Sequence, residues 1–109
     1  MRRWFVRDRA GREIYLTEEQ WEHIVARHRE LRDHLDDVLA TVRHGRRRQQ
    51  SHDPQAYVYY RPCDTLHLLF NGILVVVVFR FEWQEDGTLL PNNFIVTAWG
   101  IIMRRKGER

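Results

Sequence analysis

Seven consecutive apolar residues, Ile73-Leu74-Val75-Val76-Val77-Val78-Phe79, constrain this chain more than any other stretch. Four of them are adjacent valines, whose branched side chains are stiff at χ1 and suit a pleated surface better than a helix. The run is too short to cross a bilayer, which takes about 20 residues as a helix. It does not alternate apolar with polar, so it reads as a central strand covered on both faces or packed hard on one. The rest of the chain must cover this strand or pair with it. Asn71-Gly72 stands before it as a tight-turn signal, and Arg80-Phe81-Glu82-Trp83 carries it outward with alternating character.

A chain of 109 residues is enough for one domain with one core, here spanning 1–109. Residues 1–13 read as a short lead-in, and the apolar Trp4–Val6 and Ile14–Leu16 either side of Gly11 make a small hairpin conceivable there. Residues 104–109 read as a basic tail. Thr17-Glu18-Glu19-Gln20 fits a capping box, with Thr17 accepting from the amide three residues on and Gln20 reaching back. Trp21, Ile24, Val25 and His28 then share a helical face, and Leu31, Leu35, Val38, Leu39 and Val42 continue it. One bent helix and two helices both fit, with Arg29-Glu30 as the natural break, and Gly45 marks the stop.

After Gly45 the period changes from 3.6 to 2. Arg46–Ser51 reads as a polar edge strand, His52–Gln55 as a turn, and Ala56–Arg61 as a strand rich in tyrosine. Leu66–Phe70 reads as a strand turning at Asn71-Gly72 into the valine run. Glu85–Thr88 reads as a turn, and Phe94–Trp99 as the last strand. Helices followed by strands on short connections imply an α+β fold: one or two N-terminal helices packed on one face of a four- to five-stranded antiparallel sheet.

The single cysteine, Cys63, excludes an internal disulfide and any multi-cysteine metal site. His23 and His28 lack the i, i+4 spacing of paired helical ligands, and no glycine loop for phosphate is present. The expectation is therefore of no metal and no cofactor. No apolar segment has the length of a membrane span or the look of a signal peptide, so the sequence reads as cytoplasmic. The net charge of +3 is mild. Its local form is not: Arg43-His44-Gly45-Arg46-Arg47-Arg48 holds four arginines and no acid, and Arg104-Arg105-Lys106 repeats the theme. Such clusters suit phosphate-bearing partners, although a solvated basic face is the plainer reading of either one alone.

The chemistry-bearing residues suit RNA cleavage by attack of the ribose 2′-hydroxyl. That reaction needs a base, an acid and cations for the phosphate. Histidine serves both proton roles near neutral pH, and arginine binds phosphate with a permanent charge. The candidates are His28 as acid or base, Arg61 and Arg80 as the phosphate clamp, and Thr97 as an orienting hydroxyl. Arg46, Arg47, Arg48, Tyr57, Tyr59, Arg104, Arg105 and Lys106 are the RNA-binding candidates. Each has a structural alternative: a core histidine, packed tyrosines, solvated strand-end arginines, an ordinary strand threonine.

The helix segment His23-Ile24-Val25-Ala26-Arg27-His28 and the strand Phe94-Ile95-Val96-Thr97-Ala98 together resemble small phage-associated nuclease domains. These are grouped with the barnase, EndoU, colicin and RelE toxins in the BECR fold, and the resemblance spans roughly residues 14–105. It implies N-terminal helices on an antiparallel sheet of about four strands and metal-independent RNA cleavage in toxin–antitoxin or inter-microbial conflict settings. His28 and Thr97 occupy the matching positions, with arginines nearby. The partners it implies are RNA and a cognate antitoxin or immunity protein, with the chain a monomer or homodimer away from membranes. Two other classes fit the same residues: a non-catalytic nucleic-acid- or protein-binding module, and an accessory subunit docking a partner through its open sheet face.

Overall fold

In a computed structural model, residues 2–67 and 69–104 are described. The valine run is β5 (Gly72–Val78), and it is central. It lies between β4 (Asp53–Pro62) and β8 (Phe94–Ile101), antiparallel to both. Ile73, Val75 and Val77 are completely buried on one face, while Leu74 and Val76 are half-buried on the other.

The sheet is larger than the expected four or five antiparallel strands. It has six strands in the order β1-β2-β8-β5-β4-β3, curled as a half-barrel, where β1 is Arg3–Arg7, β2 is Glu13–Thr17 and β3 is Arg46–Gln50. It is also mixed, because β2 runs parallel to β8 at Tyr15 and Phe94. Two features overturn the expectation. The lead-in is a β1–β2 hairpin built into the sheet, closed by Gly11 at φ +80°. The long segment between β2 and β8 also supplies the crossover that a parallel pair requires. The helices are therefore not N-terminal; they follow a strand pair.

The expected strand at Leu66–Phe70 is not one. Leu68 lies outside the described residues, and the others form a loop. β5 already has neighbours on both edges, so no edge is free to pair. The loop instead buries Leu66 at the margin of the core, with Phe70 half-buried against it. Asn71 is not in a tight turn either. Its side chain donates to the Met103 carbonyl and accepts from the Met103 amide, tying β5 to the end of β8. The outward continuation of β5 forms a separate two-stranded arm of β6 (Phe81–Trp83) and β7 (Leu89–Pro91). Its turn is closed by Gly87 at φ +86° and by Asp86, which accepts from the Thr88 amide and hydroxyl. Phe81, Trp83, Leu89 and Leu90 stand exposed on this arm.

The helical segment is two helices, α1 (Glu18–Arg27) and α2 (Leu35–His44), separated by a 3-10 turn at Arg29–Leu31. Thr17 caps α1 by accepting from the Gln20 amide at 3.1 Å. Gln20 does not complete the capping box: its side chain donates to the Val96 carbonyl of β8 instead. Ile24, Leu31, Val38 and Val42 bury fully against the valine face, with Leu35 and Leu39 only flanking it. α2 ends at Gly45, whose amide donates to the Thr41 carbonyl. A Cβ there would press on that carbonyl oxygen and lie 2.8 Å from the Tyr60 carbonyl. Both obstacles are backbone and cannot rotate away. Gly45→Ala is therefore expected to cost about 1–3 kcal/mol, seen as a lower midpoint in urea denaturation with an unchanged slope.

Candidate functional site

His28 sits where α1 stops. Its amide closes the last helical hydrogen bond to Ile24, but its backbone has left the helix at φ −128°, ψ 74°. The side chain thereby turns toward β8, where its ring lies 5.9 Å from that of Trp99. Its Nδ1 is 3.9 Å from the Glu30 carboxylate. Glu30 is itself held by the Gly100 amide, which donates to Oε2 at 2.8 Å. Glycine is required at this point: a Cβ would meet the Phe70 ring at 2.8 Å and Glu30 at 2.9 Å. At 3.9 Å this is a charge contact longer than a hydrogen bond, and it places an anchored carboxylate near one ring nitrogen of His28.

A cleft of about 940 Å³ opens beside His28. Gln20, His23 and Arg27 line it from α1, and Val96, Thr97 and Trp99 from β8. The α1 side follows from helical spacing, since residues three and four apart share a face. The β8 side follows from a bulge. Thr97 pairs with Val76 and Ile95 with Val77, which leaves Val96 as the extra residue. Bulges re-aim strand side chains in this way beside functional sites. His28 and Thr97 are thus brought into one cleft. His23 and Arg27 join them, although the sequence reading had not selected either. The i, i+4 spacing from His23 to Arg27, with His28 adjacent, is the signal that identifies them.

The remaining candidates are dispersed. Arg61 pairs with Ile73 at the start of β5, whereas Arg80 follows the strand's far end and lies over the Phe94 ring at 5.7 Å. Roughly 20 Å of strand separates them at 3.3 Å per residue, so they cannot clamp one phosphate together. Arg46, Arg47 and Arg48 are divided by the strand period of 2. Arg46 and Arg48 are exposed, while Arg47 points to the opposite face and is enclosed by aromatics. Its guanidinium carbon lies 3.4 Å from the Tyr57 ring centre and 4.8 Å from that of Phe79.

Tyr59 is 1% exposed and committed to the interior. Its hydroxyl donates to Asp8 at 2.6 Å and accepts from Arg47 Nε at 3.0 Å. Burial pushes the Tyr59 phenol well above its ordinary range, and the bond to Asp8 adds to this. Tyr59 presents no open ring face for a base, and the Arg47 guanidinium is stacked on the Tyr57 ring. Arg104 lines a second cleft. Arg105 and Lys106 lie outside the described residues.

Three donors among the described residues could hold a metal: His34, Asp37 and Cys63, with ligand atoms within 4.8 Å of one another. His34 Nδ1 and Asp37 Oδ2 are 2.9 Å apart as the N-cap and third residue of α2, an arrangement that an i, i+3 side-chain pair on the first turn also explains. None of the three lines the His28 cleft. No helix among the described residues is long and apolar enough to cross a membrane.

No family model, curated protein or solved structure matches this chain.

Proposed function

We propose that the protein is a small endoribonuclease that cleaves RNA by internal transfer at the His28 cleft. The observation that carries this reading is the meeting of His28, His23, Arg27 and Thr97 in one cleft, with Glu30 anchored behind His28. In the step itself, the 2′-oxygen of a ribose forms a bond to the adjacent phosphorus and the P–O5′ bond breaks. One imidazole takes the proton from the 2′-hydroxyl and the other gives a proton to the departing 5′-oxygen. The products are a 2′,3′-cyclic phosphate and a 5′-hydroxyl. His28, with the Glu30 carboxylate 3.9 Å away, is assigned one proton transfer, and His23 the other. Arg27 neutralises the charge developing on the phosphate. The Thr97 hydroxyl orients a non-bridging oxygen, and Trp99 offers a stacking surface beside the scissile bond.

The nucleophile belongs to the substrate, so the chemistry needs no metal-activated water. The test is incubation of purified protein with a mixed single-stranded RNA pool in excess EDTA. Discrete fragments are the expected result. Intact RNA at high protein concentration would overturn the reading and favour a binding module on the same fold, which a salt-dependent binding assay would then reveal. A toxin role with a cognate antitoxin belongs to the same proposal, and RNA cleavage released from inhibition is its signature.

A further inference from the structure

A second cleft, of about 1160 Å³, lies at the end of the sheet where β4 leaves the core. Arg9, Arg46, Arg61 and Arg104 all line it, together with His44 and Tyr60. Among the described residues that line it, Asp64 is the one acidic side chain. None of the four guanidinium groups makes an ion pair among the described residues. One of them stands out further: Arg61 Nη1 is buried and has no hydrogen-bond partner among the described residues. A buried, unsatisfied donor on a permanent cation is costly, and its cost is offset when an anion occupies the site. The C-terminal end of α2 also borders the cleft at His44 and Gly45. Its partial negative charge draws arginines there, but it does not satisfy Arg61 Nη1.

The two clefts share a wall. Phe70 lines both, and Gly100 permits its ring to sit against β8 between them. A chain of phosphates passing from one cleft to the other would cross this ring, on which an unpaired base can stack. We infer that the Arg61 cleft holds a backbone phosphate of the same RNA strand whose neighbouring linkage enters the His28 cleft, so that the substrate is single-stranded RNA several nucleotides long. The identity of the reacting strand rests on the function proposed above; the phosphate site rests on the cleft itself. Arg61 and Arg46 are binding residues in this account, distant from the proton transfers.

Two measurements on the full chain separate these layers. The first is binding of an uncleavable 2′-O-methyl hexanucleotide, followed by fluorescence anisotropy across a salt series. Each lost phosphate contact reduces the log–log salt slope by about 0.7. Arg61→Gln and the exposed Arg46→Gln are each expected to do so, and the double variant to lose about 1.4. Arg61→Lys should retain the slope but bind more weakly, because it keeps the charge and loses the planar fork. The second is kcat/KM on a hexanucleotide relative to a dinucleotide. The wild type is expected to prefer the longer substrate by about tenfold or more, and the Arg61→Gln and Arg46→Gln variants to lose most of that preference. Salt slopes equal to wild type in both single variants would overturn the inference, as would equal cleavage of the two lengths by the wild type. If the wild type binds with an Arg61-dependent slope yet cleaves nothing, the phosphate site stands and the ribonuclease reading falls.

Discussion

Replacing His28 with alanine is expected to lower the single-turnover rate of RNA cleavage by about 10²–10⁴-fold, the span of one positioned acid or base. The magnitude follows from placement. His28 is outside the helix, half-exposed and backed by a carboxylate that the Gly100 amide fixes. His28→Ala also removes the ring packed near Trp99, so a structural loss must be told apart from a chemical one. Added imidazole should restore part of the rate to His28→Ala, because it replaces the proton carrier without repairing the packing. His28→Gln, which fills more of the space but transfers no proton, should be as inactive as alanine while melting close to wild type. Full activity in His28→Gln would remove His28 from the mechanism.

The second large effect concerns Asp8, 7% exposed at the tip of the β1–β2 hairpin. One of its carboxylate oxygens accepts from the Ala10 and Arg12 amides, at 3.0 and 2.9 Å, and so shapes the hairpin turn. The other accepts from Arg12 Nη1 at 2.7 Å and from the Tyr59 hydroxyl at 2.6 Å. Tyr59 in turn accepts from Arg47. One carboxylate therefore joins the first hairpin to β4 and, through it, to the edge strand β3. Asp8→Ala removes the turn bonds and leaves the buried Tyr59 hydroxyl without its acceptor, and is expected to cost about 2–4 kcal/mol, measured by chemical denaturation. Tyr59→Phe, which keeps the ring and removes both hydroxyl bonds, should cost about 1–3 kcal/mol.

The same network sets an acid limit on stability. Burial raises the pKa of Asp8, but hydrogen bonds from Tyr59 and Arg12 outweigh it and hold the carboxyl below its ordinary value. A carboxyl depressed in the folded state contributes stability above its unfolded pKa and loses it as pH falls through the folded one. Wild-type stability should therefore decline below about pH 4, and Asp8→Asn should be less stable at neutral pH but flatter in acid. An acid limb as steep in Asp8→Asn as in wild type would assign the effect to other carboxylates.

What could be read from the sequence was local and periodic. The β-branched run gave β5, Thr17 gave the start of α1, Arg29-Glu30 the break, Gly45 the stop, and Arg46–Ser51 the polar edge strand, which ends one residue sooner at Gln50. These depend on a few neighbouring residues. The parallel β2–β8 pair depends on Tyr15 meeting Phe94 across most of the chain, and no local pattern encodes it. Leu66–Phe70 has the composition of a strand, yet Leu66 and Phe70 cover the core from a loop, because what decides between the two is whether β5 has a free edge. The candidate site was partly legible. His28 and Thr97 do share a cleft, but Arg61 and Arg80 share only their chemistry: Arg61 is on β4 beside the start of β5, and Arg80 lies past the far end of β5. Arg46–Arg48 read as a single patch, and strand alternation divides it. Asp8 gives no sequence signal for its bond to Tyr59, 51 residues away.

The most direct test of the central claim is cleavage of one RNA oligonucleotide beside the same sequence carrying a single 2′-deoxy substitution at the cut position, both in EDTA. Attack by the 2′-hydroxyl predicts a 2′,3′-cyclic phosphate on the cut RNA and no cleavage at the deoxy position. Cleavage that persists at the deoxy position, leaving a 5′-phosphate, would mean that water is the nucleophile and would contradict the role given to the His28 cleft.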